Sequence, residues 1–157
     1  LVGSQFILFS GTISLAVWGF AAEVLRYRTR SLAISETRGV LRSLPDLGSA
    51  TLISFAGAVG VPGTSGFIAF ALLYMGCFSY HPGVVVAAFI VSIVVTAFLI
   101  QVYRTIFLGE KLSEKYPKLG FRERLLLIPL VGLTVFVGFF PAPLVELVRA
   151  TIVKVLA

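Results

Sequence analysis

Side chains able to move a proton are sparse in this sequence and unevenly placed. Its 157 residues carry 13 Lys and Arg, 7 Asp and Glu, and 1 His. No Asp, Glu, Lys or Arg stands between Leu47 and Tyr103, and no charged residue or histidine between Leu1 and Ala22. Near the middle of the longer uncharged run lies the motif Pro62, Gly63, Thr64, Ser65, Gly66, preceded by Gly60 and Val61. Proline and glycine at this density interrupt a helix. Inside a bilayer such a break survives only where protein or water satisfies the freed N–H and C=O groups. The exposed helix ends can then hold an ion at mid-membrane, and Thr64 and Ser65 offer hydroxyls to the freed backbone. A proton relay would require a titrating group beside the break, and the sequence has none there. On local sequence alone a packing kink and an ion-handling break are both open. Elsewhere, Glu23 and Arg26 stand one helical turn apart and read as an ion pair rather than a proton-uptake site. His81, in Ser79–Gly83, reads as an interfacial residue in a turn rather than a proton gate. No catalytic residue is expected. One cysteine (Cys77) and one histidine cannot build a metal site or hold an iron–sulfur cluster. No dinucleotide fingerprint is present.

The elements that must position these residues are membrane helices. The chain is 58% hydrophobic and 13% charged, with mean hydropathy +1.02, which excludes an ordinary soluble domain. We expect an all-α membrane protein forming one transmembrane region over 1–157. Its spans are 1–25, 47–78, 84–108 and 125–145, each compared with the roughly 20 residues a crossing needs. The second is too long for one straight crossing, and an interruption at Val61–Gly66 resolves the excess. After Pro141 and Pro143 the amphipathic tail is expected to lie at the interface. A net charge of +6 would suggest nucleic acid in a soluble protein, but here it follows membrane topology and no nucleic-acid partner is expected. Ten of the thirteen Lys and Arg sit in two connections, Arg26–Arg42 and Lys111–Arg124. Two spans separate those connections, so both face the cytoplasm or matrix, and both termini face the periplasm or intermembrane space. The sequence opens at Leu1 inside an apolar run, as expected of a piece of a longer unit.

The segment LPDLGSATLISFAGAVGVPGTSGFIAFALL (44–73) resembles the discontinuous helix of the antiporter-like subunits of NADH:quinone oxidoreductase, respiratory complex I. RYRTRSLAISETRGVLRSLP (26–45) is similar to the connection before that helix, and YRTIFLGE (103–110) to the end of the helix after it. FRERLLLIPLVGLTVFVGFFPAPLVELVRATI (121–152) resembles the last helix and tail of the chain 4, or M-type, subunit. The P-G-T-S-G segment alone is shared with cation/proton antiporter and membrane-bound hydrogenase relatives. The resemblance implies the final four of the family's fourteen or so helices. It also implies that Ser10 stands where the family usually carries histidine, and Phe70 where its broken helix usually carries glutamate or lysine. Neither residue exchanges protons, so both relay positions are vacated.

The resemblance therefore implies a membrane-arm subunit, or part of a split chain 4 subunit, completing the proton-translocation scaffold with its own relay lost. Its expected partners are other membrane-arm subunits, including a chain carrying the missing N-terminal helices, and lipids. No cofactor is expected in this chain; NADH, FMN, iron–sulfur clusters and quinone belong to partner subunits. The expected location is the bacterial plasma membrane or the mitochondrial inner membrane. The alternatives are a purely structural remnant for assembly, or a subunit of a cation/proton antiporter or membrane-bound hydrogenase.

Overall fold

A computed structural model describes residues 2–30, 39–109 and 117–156. Residues 1 and 157, and 31–38 and 110–116 of the two basic connections, lie outside the described residues. All regular structure among the described residues is helical. Helix α1 covers Val2–Thr29, a 3-10 turn covers Val40–Arg42, and α2 (Pro45–Val59), α3 (Ser65–Phe78), α4 (Pro82–Phe107), α5 (Phe121–Phe139) and α6 (Ala142–Leu156) follow. Two of these helices, α1 and α4, are long and apolar enough by themselves to cross a membrane; α5 and α6 reach that measure only together, across an 87° bend. The 26 residues of α4 extend about 39 Å at ~1.5 Å per residue, against a hydrocarbon core of about 30 Å. At 15 and 14 residues, α2 and α3 are each short of a crossing.

Local chemistry sets the boundaries. Pro45 and Pro82 stand in the first turns of α2 and α4, where a missing N–H costs nothing. The expected interruption at Val61–Gly66 falls instead at Gly60–Thr64, because Thr64 is extended and Ser65 and Gly66 already belong to α3. The expected span at 125–145 also shortens. Helix α5 closes at Phe139, and Phe140 leaves the helical region at φ −124°, ψ 70°. Pro141 follows, and a residue before proline is held out of the α conformation. On α1 the helix continues past residue 25 through Arg26 and Arg28 to Thr29.

The buried side chains form two apolar clusters. One joins Val17, Ala21 and Leu25 of α1 to Leu44, Leu47, Tyr103, Phe107 and Leu127. The other joins Phe6, Ala69 and Val137, with Leu144, Val145 and Val148 of α6 packed against it. Buried polar residues lie between them on α1 (Ser10, Ser14) and α5 (Thr134), and beside them on α2 (Ser54) and α3 (Ser65). The core is thus layered, with a polar sheet of hydroxyls at the level of the break. Helix α4 contributes little to it, burying only Tyr103 and Phe107 among its described residues. The Tyr103 hydroxyl donates to the Gly48 carbonyl at 3.2 Å.

Helix α5 meets the break at Gly138. A methyl group there would collide with the Gly63 carbonyl and come within 2.5 Å of the Thr64 Cα. On the same helix, Gly132 faces open space. Gly138→Ala should therefore destabilise by about 1–3 kcal/mol, whereas Gly132→Ala should stay within about 0.5 kcal/mol. Thermal unfolding of the purified assembly checks both, and equal effects would contradict the close approach.

Candidate functional site

The break is a turn that satisfies most of its own backbone. Gly60 adopts φ +83°, a left-handed conformation that glycine takes without strain. This lets the N–H groups of Gly60 and Val61 both donate to the Ala56 carbonyl, at 3.0 and 2.9 Å. Gly63, at φ +90°, reverses the chain again. Thr64 stands at the start of α3, yet its hydroxyl makes no cap; it turns back and donates to the Val61 carbonyl at 2.7 Å. Pro62 is exposed, and Thr64, Ser65 and Gly66 are buried.

Helices α2 and α3 touch backbone to backbone beside the turn. A methyl group on Gly66 would overlap the Gly57 carbonyl, and one on Gly57 would stand 2.9 Å from the Thr134 methyl. Only glycine permits this approach at Gly66. Across the break from α1 comes Ser10, whose Oγ lies 3.0 Å from the Ser65 Oγ, both side chains being buried. Four residues along α1, Ser14 donates to the Ser54 carbonyl and Ser54 to the Ser14 carbonyl, each at 3.3 Å. These reciprocal bonds strap α1 to α2 just before the turn.

Ser10 and Phe70 come together on one cleft of about 130 Å3, lined also by Ser14, Trp18, Gly57 and Gly66. The half-buried Phe70 ring packs over Gly60, 2.7 Å from where a Cβ would sit there, and against the Tyr74 ring at 5.7 Å. Trp18 also lines the cleft, and its indole nitrogen is buried without a hydrogen-bond partner. Among the described residues, the lining carries no Asp, Glu, Lys, Arg or His. Hydroxyls can orient water and pass hydrogen bonds, but they store no proton near neutral pH.

Glu23 and Arg26 are elsewhere, toward the C-terminal end of α1. They form a two-pronged pair, with Nε to Oε2 at 2.9 Å, and both side chains are more than half exposed. The structure does not bring this pair to the break. Two features escaped the reading of the sequence. Trp18 reaches the cleft, and the nearly buried Arg28 pairs with Glu123 at 2.7 Å. Trp18 lies on the same face of α1 as Ser14, four residues away, and that spacing was an available signal. The Arg28 pair joins residues 95 positions apart, and local patterning carries no trace of it.

The sequence profile of the NADH:quinone oxidoreductase/Mrp antiporter transmembrane family matches residues 4–96. NADH-quinone oxidoreductase subunit M of Rickettsia felis is 27% identical over 135 residues, spanning 82% of this chain and 27% of that protein. Among solved structures, a chain of respiratory complex I from Thermus thermophilus with bound NADH superposes with a TM-score of 0.69 at 27% identity. That match covers 95% of this chain and 36% of the other. The chain thus spans about a quarter of the length of the curated relative and about a third of the structural one.

The two facing hydroxyls make a direct prediction. Ser10→Ala or Ser65→Ala each leaves one buried hydroxyl unpaired, costing about 1–2 kcal/mol, whereas the double variant removes both. A double-mutant cycle on thermal unfolding of the assembly should return a coupling of about 1 kcal/mol. Strictly additive single effects would show that the bond contributes nothing.

Proposed function

Because this chain belongs to the NADH:quinone oxidoreductase/Mrp antiporter transmembrane family, we propose that it is the closing part of an M-type, antiporter-like subunit in the membrane arm of a proton-pumping NADH:quinone oxidoreductase. In this reading α2 and α3 form a single interrupted crossing, flanked by α1, α4 and α5 as continuous ones, and α6 rests at the interface. The two basic connections face the cytoplasm or matrix. The partners are the other membrane-arm subunits, including a chain that supplies the remaining helices, and lipid. Electron transfer from NADH through FMN and iron–sulfur clusters to quinone belongs to partner subunits.

We further propose that the proton site hosted by the break has lapsed in this chain. One observation carries this: the cleft where Ser10 meets Phe70 has a hydroxyl-to-hydroxyl bond across it and an aromatic ring beside it, with no ionisable side chain in its lining. A relay needs a group that gains and loses a proton during turnover. What remains is scaffold, and the neat mutual satisfaction of Ser10 and Ser65 suits a packing role. The purely structural reading is the limiting case of this proposal. The antiporter and hydrogenase readings draw less support, since both need an intramembrane carboxylate or lysine that this chain does not place at its cleft.

The test has two parts. Affinity capture of the chain from native membranes should bring down NADH-oxidising activity; recovery alone, or with sodium-dependent antiport, would overturn the assignment. Phe70→Leu should then leave the number of protons moved per NADH unchanged in reconstituted vesicles. A fall in that ratio at unchanged assembly would show that the site still conducts.

A further inference from the structure

The turn between α2 and α3 reaches the surface of this chain. Val61 is 44% exposed, Pro62 is exposed as well, and Val59, Gly60 and Gly63 are partly so. The bonds made within the turn end on the carbonyls of Ala56 and Val61. The carbonyls of Val59, Gly60 and Pro62 accept none from the described residues. Two sides of the turn are closed: the Gly63 carbonyl lies on α5 at Gly138, and the Phe70 ring packs over Gly60. Toward α4 it is open. There Val61 borders an apolar groove of about 490 Å3, with Leu52, Phe55, Val59, Leu99 and Ile100. The 15 residues of α2 set the turn about 22 Å from Pro45, at ~1.5 Å per residue. The basic connections emerge at that other end.

With α2 and α3 as one interrupted crossing, the turn lies at membrane depth. Irregular backbone at that depth does not face lipid, because each unmatched polar group in hydrocarbon costs several kcal/mol. Water needs polar walls. Near the turn the groove offers only Thr96, whose hydroxyl already donates to the Ser92 carbonyl at 2.7 Å, among apolar side chains. Protein is the cover that remains. The superposed complex I chain extends well beyond this one, whose match covers 36% of it, so most of that fold must pack against these helices from outside. We propose that a transmembrane helix of the partner chain supplying the remaining helices lies across Val61 and Pro62, and that it brings a hydrogen-bond donor to the unmatched carbonyls.

This deepens the function proposed above and rests on its reading of α2 and α3 as one crossing. The experiment uses the intact assembly in native membranes, with the photo-cross-linker p-benzoylphenylalanine in place of Val61, captured through this chain after irradiation. The adduct should be a peptide from an apolar helix of a co-captured chain, one that aligns with the part of subunit M this chain does not match. A lipid adduct, a peptide from any other subunit, or no adduct overturns the proposal. A cryo-EM map of the unmodified assembly asks the same question without a substitution. A helix of that chain against Val61 and Pro62, with a donor within about 3.2 Å of the Val59, Gly60 or Pro62 carbonyl, supports it. A helix without such a donor, acyl-chain density or open water there overturns it. NADH oxidation by the same captured sample separates the two readings. The expected cross-link without that activity removes the oxidoreductase assignment and leaves the docking face standing; activity with lipid at residue 61 removes only the docking face.

Discussion

A backbone carbonyl buried away from water must be answered by the protein itself, and the turn at Gly60–Thr64 is arranged around that requirement. Two N–H groups converge on Ala56, and the Thr64 hydroxyl answers Val61. Glycines let three helices come close enough to keep the turn covered. Gly66 lies on the Gly57 carbonyl and Gly138 on that of Gly63. The glycines at these points contribute by the space they leave: each missing methyl is room for another strand of backbone. The polar layer follows from the same need, since Ser10, Ser14, Ser54 and Ser65 pair with one another or with each other's carbonyls instead of with water.

The layering also separates tasks. The cluster around Val17, Leu47 and Phe107 fixes the ends of α1, α2 and α4 where the basic connections emerge. There the ion pairs Arg28–Glu123 and Arg124–Asp46, both at 2.7 Å, tie α1 to α5 and α5 to α2. Arg124 and Asp46 are about half exposed, so solvent screens their attraction and their contribution is small. Arg28 is the nearly buried member, and removing its partner would strand a charge. The apolar clusters on either side hold the hydroxyl layer in register, and that layer holds the break.

Much of this was legible in the residues. The uncharged run from Leu47 to Tyr103, its proline and glycines, and the turn at His81–Pro82 located α2, α3 and α4 to within a few positions. The break was displaced by one residue at its start. Its position depends on which glycine adopts the left-handed conformation, and Gly60 and Gly63 both do while Gly66 does not. Phe140 and Pro141 end α5 earlier than hydrophobicity suggested, because a backbone clash overrides an apolar run that continues past it. The meeting of Ser10 with Ser65 spans 55 positions. Single-sequence patterning can name both residues as polar oddities in apolar helices, but only packing reveals that each is the other's partner.

The sharp bend after α5 has a temporal consequence. Phe6, in the second turn of α1, sits in the same cluster as Leu144, Val145 and Val148 of α6. That cluster cannot close until residue 148 has been synthesised and delivered to the bilayer, however early α1 inserts. Until then the Phe6 end of α1 lacks the cover that α6 gives it.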